Sequence, residues 1–223
     1  MRKIDKSTNF STKYKEWLDK IEKEGNDHPK YKSSSFRFYN DVKFDLLRCQ
    51  KGLCAYTEMR LCSPEVLKEN YWENGKYKFE KGVTKSAGQL EHFDSSLKKK
   101  KAWLWNNLFV GDSDANRDKS TANVDKILKP DEPDYDPHKL LEFDFEKMVY
   151  IPNTERKPKE QNRIKTMIEI LGINHPGHVK TRREGFVNKL KKEIEFEIFD
   201  KKEYETDEFP TIVEMIVKKF NLS

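Results

Sequence analysis

Three short segments of the chain combine residue types that could hydrolyse a phosphodiester bond. They span residues 89–93, 105–108 and 114–120, with the sequences QLEHF, WNNL and DANRDKS. Such hydrolysis needs a base that activates water and a cation that neutralises charge on the phosphate. Glu91 and His92 offer both functions. Neighbouring side chains of a strand point to opposite faces, so Glu91 and His92 can share a site only where a strand ends. Residues 94–96 (DSS) predict such an ending.

The order and spacing of these segments resemble those of the HNH, or His-Me finger, nucleases. The family pattern is an acidic residue followed by His, then Asn-Leu in a loop, then His or Asn nine positions later and Lys three residues further on. The matching residues of this chain are Glu91, His92, Asn107, Leu108, Asn116 and Lys119. Residues 116–120 (NRDKS) are also similar to the corresponding stretch of the HNH domain in RNA-guided CRISPR nucleases. The resemblance implies a ββα-metal core and metal-dependent endonuclease activity.

The resemblance also implies a role for each matched residue. His92 would be the general base, since an imidazole titrates near neutral pH. Glu91 and Asn116 would ligate the metal, and their oxygen donors favour Mg²⁺ or Mn²⁺. Asn107 would brace the loop that holds His92, and Lys119 would contact a phosphate oxygen. The alternative for either asparagine is that it only forms a turn.

The cysteines depart from the family pattern. Many relatives bind a structural zinc through two Cys-x-x-Cys pairs, whereas this chain keeps only Cys54 of the first pair and has Asp112 and Ala115 at the second. Cys49 and Cys62 do not restore the spacing, so a thiolate zinc site is not expected. Three sparse cysteines fit a reduced, cytoplasmic protein better than a disulfide scaffold.

A looser resemblance covers residues 36–190. The segments GLCAYTE, LEHF, WNNLF and ILKPDE are similar to those of the HNH subunits of Septu-type and retron-linked antiphage systems. It implies an effector that cuts nucleic acid, DNA more than RNA, beside an ABC-type ATPase. Any nucleotide control would come from that partner, because this chain has no phosphate-binding Gly-rich loop. Two alternatives stay open, namely a catalytically silent adaptor that binds nucleic acid or the ATPase, and a nuclease that cuts RNA.

Composition narrows the class of protein only modestly. The 223 residues are 37% charged with a net charge of +5, so the chain is mildly basic. Residues 155–193 carry eleven basic and five acidic side chains, and residues 194–223 carry eight acidic and four basic ones. Lysines 98–101 could follow a phosphate backbone or simply lie in a solvated loop. We expect neither a secretory signal nor a membrane span.

The sequence predicts an α+β fold that is mostly helical, with a small ββα centre that positions these residues. We expect an N-terminal helical extension (1–35), a nuclease domain (36–153) and a C-terminal helical region (154–223). Within them, periodicity predicts helices at 36–47, 159–173, 179–199 and 209–221, and a strand pair at 140–151. Residues 53–62 could form a strand or a knuckle, and 70–88 a hairpin or loop.

Some side chains are expected to be structural or to face a partner. Trp103 and Trp105 are expected in the core, and His138, His175 and His178 in surface loops. Apolar stripes in the C-terminal region are expected to meet a partner chain, with packing on the chain's own nuclease centre as the alternative. The residues of these stripes are Phe196, Ile198, Phe199, Ile212, Val213, Ile216 and Val217.

Overall fold

The computed structural model describes residues 1–32, 36–78, 88–204 and 207–222. These residues form an α+β fold in which helices surround three small antiparallel sheets. The described α-helices are α1 (Thr12–Glu24), α2 (Tyr39–Cys49), α3 (Ser113–Lys119), α4 (Pro137–Leu140), α5 (Pro158–Ile170), α6 (His178–Glu195) and α7 (Pro210–Phe220).

Each described sheet is one antiparallel pair of short strands. Strand β1 (Trp72–Glu73) pairs with β2 (Lys76–Tyr77), β3 (Gln89–His92) with β4 (Leu108–Gly111), and β5 (Leu141–Asp144) with β6 (Val149–Pro152). The first of these pairs is the hairpin expected within 70–88, of which residues 79–87 lie outside the described part. The segment 53–62 is a knuckle of turns with a single bridge between Leu53 and Arg60, not a strand.

Helical periodicity is confirmed where it was strong. In α5 the buried side chains are Ile164, Met167 and Ile168, spaced three and four residues apart as on one helix face. Both α5 and α7 begin with a proline, which suits the first helical position because its missing N–H would have no partner there. The helix expected over 179–199 ends at Glu195, and Phe196 lies beyond it with 69% of its surface exposed.

The core draws side chains from all three expected regions. Tyr14 of α1, Trp103 and Phe109 of the centre, and Leu190 of α6 belong to one cluster of buried apolar residues. Trp103 is fully buried, whereas Trp105 is partly buried. The domain boundaries therefore remain predictions within a chain whose described parts share one core.

The C-terminal apolar stripes divide into a buried set and an exposed set. Ile212, Val213 and Ile216 of α7 are buried in the common core. Backbone contacts fix this helix, since the Phe209 N–H donates to the Glu58 carbonyl (3.1 Å) and the Thr211 N–H donates to Glu58 Oε2 (3.2 Å). The exposed set is Phe196 and Ile198, whereas Phe199 and Val217 are partly buried against the core.

Among the described residues, no helix combines the length and apolar character that a membrane crossing requires.

Candidate active site

Strands β3 and β4 and helix α3 bring the three chemically interesting segments together. The strand register places Glu91 opposite Phe109 and His92, the last residue of β3, opposite Leu108. Helix α3 follows β4 directly, and the Asp112 side chain caps it by accepting hydrogen bonds from the Asp114 and Ala115 N–H groups. The chain therefore runs strand, strand, helix through the candidate site.

Glu91 is a buried carboxylate with one cationic neighbour. Its Oε2 lies 3.1 Å from Lys119 Nζ, and both side chains are at most 2% exposed. Neither Glu91 oxygen accepts a hydrogen bond of acceptable geometry within the described residues. Burial raises the pKa of Glu91, and the nearby Lys119 ammonium opposes that rise. Lys119 is thus the partner of Glu91 Oε2, and Glu91 Oε1 has no donor within the described residues.

Lys119 links the two neighbouring residues of β3. Besides its ion pair with Glu91, its ammonium donates a 2.6 Å hydrogen bond to the His92 carbonyl oxygen. The expected contact between Lys119 and a phosphate remains a prediction, and the structure gives this ammonium internal partners instead. The Glu91 and His92 side chains form no ion pair with each other, so Lys119 is the group that connects them.

The hydrogen bonding of His92 defines which ring nitrogen can accept a proton. His92 Nε2 lies 2.8 Å from the Ala102 carbonyl oxygen, which can only accept a hydrogen bond. Nε2 therefore carries the hydrogen, and Nδ1 of the neutral ring is left as the basic nitrogen. Burial lowers the pKa of His92 to about 4, so the ring is neutral at physiological pH. The neutral ring can accept a proton, but the lowered pKa departs from the near-neutral titration expected from the sequence and makes His92 a weaker base.

Asn107 holds the turn that follows His92. Its side-chain amide donates to the Asp94 carbonyl (3.0 Å), and its Oδ1 accepts from the Asp94 N–H (2.8 Å). Its backbone carbonyl also accepts from the Phe93 N–H at 2.8 Å. These three bonds fix the turn between β3 and the following segment, and the role of Asn107 in orienting His92 stays a prediction.

Asn116 lies in α3, one helical turn before Lys119, and is partly buried. Its side chain makes no hydrogen bond within the described part of the chain, so its amide oxygen is available as a ligand. The position of α3 depends on Gly172, where a Cβ would lie 3.2 Å from the Ala115 Cα. Gly172 also has a φ of +60°, a conformation that disfavours other residues, so α3 packs closely at this point.

Two side chains tie β4 to the rest of the molecule. Gln50 pairs with the backbone of Val110 like a strand neighbour, donating to its carbonyl and accepting from its N–H, both at 2.8 Å. The Lys6 ammonium donates to the Leu108 carbonyl (2.8 Å) and forms a buried ion pair with Asp131 (3.0 Å). Burial lowers the pKa of Lys6 to about 8.

Sequence reasoning missed a group of possible metal ligands beside α3. Asp112, Asp114 and His178 offer ligand atoms within 4.8 Å of one another. The two His178 ring nitrogens already face the two carboxylates, with Nε2 3.2 Å from Asp112 and Nδ1 3.0 Å from Asp114. His178 is the first residue of α6 and not a loop residue. His178 lies 64 positions after Asp114 in the sequence, so no local pattern could have revealed this group.

Cys54, the one cysteine kept from the zinc-binding pattern, lies between the knuckle and α3. The buried Cys54 sulfur accepts hydrogen bonds from the Asp112 N–H (3.2 Å) and the Thr57 N–H (3.5 Å). Burial raises the pKa of Cys54, so its thiol keeps its proton. Hydrogen bonds to one sulfur thus join the knuckle to α3.

Exposed lysines lie beside the candidate site. Lysines 98–100 are exposed, and Lys98 Nζ lies 4.8 Å from the centre of the Tyr31 ring. Tyr31 in turn contacts the His92 ring edge-on, with 4.8 Å between ring centres.

Comparisons with known proteins add no relative to this description. Neither the scan of family models nor the search of curated proteins finds a match for the chain. The functional interpretation therefore depends on the resemblance in the sequence motifs and on the geometry of Glu91, His92, Asn107, Asn116 and Lys119.

Proposed function

We propose that this protein is a metal-dependent endonuclease of the HNH type that hydrolyses phosphodiester bonds of nucleic acid. The observation that carries the proposal is the state of His92. Its Nε2 is fixed by the Ala102 carbonyl, its Nδ1 is the basic nitrogen, and burial keeps the ring neutral at physiological pH. It is joined through Lys119 to a buried carboxylate, Glu91, whose Oε2 forms an ion pair with the Lys119 ammonium and whose Oε1 has no donor among the described residues.

The donor atoms fit a hard divalent cation. The Glu91 carboxylate is buried beside the Lys119 ammonium, and its Oε1 has no hydrogen-bond donor within the described residues. Asn116 lies in the neighbouring helix α3, and its amide offers a further oxygen donor. Oxygen donors of this kind select Mg²⁺ or Mn²⁺ over Zn²⁺. When bound, such an ion would act as a Lewis acid that stabilises negative charge on the phosphate.

The chain's own residues account for the remaining steps. His92 Nδ1 would take a proton from the attacking water, while the Ala102 carbonyl keeps the other proton on Nε2. Asn107 holds the turn after His92. Lys119 balances the charge of Glu91. The exposed lysines 98–100 would hold the phosphate backbone near His92.

We extend the proposal to the setting in which the enzyme acts. The resemblance to Septu-type and retron-linked subunits supports an antiphage effector that cuts DNA in the cytoplasm beside an ABC-type ATPase. Phe196 and Ile198, which are 69% and 68% exposed just beyond α6, would be part of the surface that meets this partner.

One observation favours a second function, a catalytically silent adaptor. Lys119 Nζ already lies 3.1 Å from Glu91 Oε2, so it competes with a divalent cation for that carboxylate. In this alternative the fold would bind nucleic acid or the ATPase without cutting it.

Purified protein incubated with plasmid DNA or total RNA distinguishes these functions. We expect cleavage with Mg²⁺ or Mn²⁺ and none with EDTA, and we expect plasmid to be the better substrate. His92→Ala should lower the cleavage rate about 10²–10⁴-fold, the usual cost of losing a general base. His138→Ala is the matched control, because His138 is partly exposed in α4 and pairs with Glu214, away from β3. Wild-type rates in His92→Ala would refute His92 as the general base, whereas binding without cleavage by the wild type would refute the nuclease function and support the adaptor.

A further inference from the structure

We propose that His28 and Tyr31, in the segment between α1 and α2, are positioning residues for His92. This inference rests on the proposed role of His92 as general base. The segment lies some sixty residues before His92 in the sequence, in the region expected to be a separate N-terminal extension. In the structure it lines the side of His92 that faces Ala102 and Trp103.

The contact between His28 and His92 passes through a single peptide group. The carbonyl of Ala102 and the N–H of Trp103 belong to the same peptide unit. The carbonyl accepts from His92 Nε2 at 2.8 Å, and the N–H donates to His28 Nδ1 at 3.0 Å. One planar peptide is therefore held between two imidazole rings. Hydrogen bonding at one end of a peptide polarises the other, so the His28 contact strengthens the carbonyl as an acceptor for His92.

The state of His28 is itself defined by its partners. Because Nδ1 accepts the Trp103 N–H, the hydrogen of the neutral ring lies on Nε2 and points to Glu22 Oε1, 2.6 Å away. The same Glu22 oxygen lies 2.7 Å from Lys101 Nζ. The His28 backbone N–H also donates to the Lys100 carbonyl at 2.7 Å. Contacts on both sides of Ala102 thus prevent its peptide from rotating.

Tyr31 restrains the His92 ring directly. Its ring meets His92 at an interplanar angle of 80° with 4.8 Å between centres. On its other side it stacks on Trp103 at 5.0 Å, and its hydroxyl donates to the Leu90 carbonyl of β3 at 3.2 Å. Tyr31 therefore fixes the plane of the imidazole, while His28 fixes the acceptor of its Nε2 hydrogen.

The His28 and Tyr31 contacts both favour one tautomer of His92. A neutral imidazole can carry its hydrogen on either nitrogen, and only the form with the hydrogen on Nε2 leaves Nδ1 able to accept a proton. Losing the His28 contact frees the Ala102 peptide to tilt, which admits the other form. Losing the Tyr31 ring frees the imidazole to turn away from its acceptor.

Imidazole NMR of the full chain tests this inference without depending on cleavage. The chain has five histidines, so the His92 signals can be assigned by their loss in His92→Asn. In the wild type we expect a hydrogen on Nε2 alone that exchanges slowly with water. In His28→Ala and Tyr31→Ala we expect at least about 10-fold faster exchange and the appearance of the second tautomer. His28→Asn and Tyr31→Phe should behave as the wild type, since an asparagine Oδ1 takes the place of Nδ1 and can accept from Trp103, and a phenylalanine keeps the ring.

Cleavage kinetics give a second measurement. We expect kcat to fall on the order of 10-fold in both alanine variants with KM unchanged, because a misplaced base costs rate and not substrate binding. His138→Ala is again the matched histidine control. Folded alanine variants whose His92 tautomer, exchange rate and kcat equal those of the wild type would overturn the inference. If His28→Ala does not fold, the partly exposed Tyr31 decides the question through the same measurements. If the wild type does not cleave, the proposed nuclease function fails while NMR still decides the positioning role.

Discussion

Removing either partner of the Glu91–Lys119 ion pair should destabilise the protein far more than removing an exposed pair. Both side chains are at most 2% exposed, so Lys119→Met would leave the carboxylate buried without a counter-ion and the His92 carbonyl without its donor. Loss of one partner of a buried pair costs about 3–5 kcal/mol. Glu91→Leu should cost a similar amount, because it leaves the Lys119 ammonium with only the carbonyl. Such losses are a large fraction of the roughly 5–15 kcal/mol that stabilises a typical domain.

A double variant that removes both side chains separates the cost of an unpaired buried charge from the cost of lost contacts. Glu91→Leu with Lys119→Met buries no charge and leaves only the His92 carbonyl without a donor, which costs about 1–3 kcal/mol. It should therefore be more stable than either single variant. Urea unfolding followed by tryptophan fluorescence measures all four free energies of unfolding. The matched control is Lys15 and Asp19 of α1, an exposed pair at 2.8 Å, whose cycle should give about 0.3–0.5 kcal/mol. Single effects that add to within about 0.5 kcal/mol would refute the reasoning.

Three further predictions concern metal and pH. Glu91→Ala and Asn116→Ala should each raise the Mg²⁺ concentration needed for half-maximal cleavage, and an unchanged metal titration would remove them as ligands. Elemental analysis should find less than one zinc per chain, whereas dialysis-resistant stoichiometric zinc would implicate the cysteines, Cys54 first. Burial lowers the pKa of Lys6 to about 8 from 10.5, so the unfolded chain holds this proton more tightly. As the pH rises from about 8 to 10.5, the free energy of unfolding of the wild type should therefore increase relative to that of Lys6→Met, by up to about 3 kcal/mol. A difference that stays constant over this pH range would contradict the lowered pKa.

The sequence could predict those elements whose pattern is local. The apolar spacing in α5 and α7 and the end of β3 at His92 follow from neighbouring residues. Helix α3 was harder to predict from the sequence, because it has only seven residues, most of them polar, and no apolar stripe. It is held by Asp112 as a cap and by packing against Gly172, and neither contact leaves a periodic signal.

The partners of the site residues could not be predicted because they are distant in the sequence. His28 and Trp103 are 75 positions apart, and Tyr31 and His92 are 61 apart. A histidine and a tyrosine in a polar linker carry no pattern that assigns them to an active site. Only the folded chain shows that a peptide group and an aromatic ring from separate segments restrain the same imidazole.

Glu91 has fewer partners than the buried carboxylate of Asp45. Asp45 is fully buried and accepts hydrogen bonds from the Phe10 and Ser11 backbone, the Ser11 hydroxyl and the Arg48 guanidinium. Its burial is explained by the segments that it joins. Glu91 is nearly as buried, yet within the described residues its one close partner is the Lys119 ammonium, 3.1 Å from Oε2. A buried ion pair is often no more stabilising than apolar side chains of similar volume, so a purely structural contact at this position would not require a carboxylate. The proposed metal site next to His92 would give the Glu91 oxygens a use.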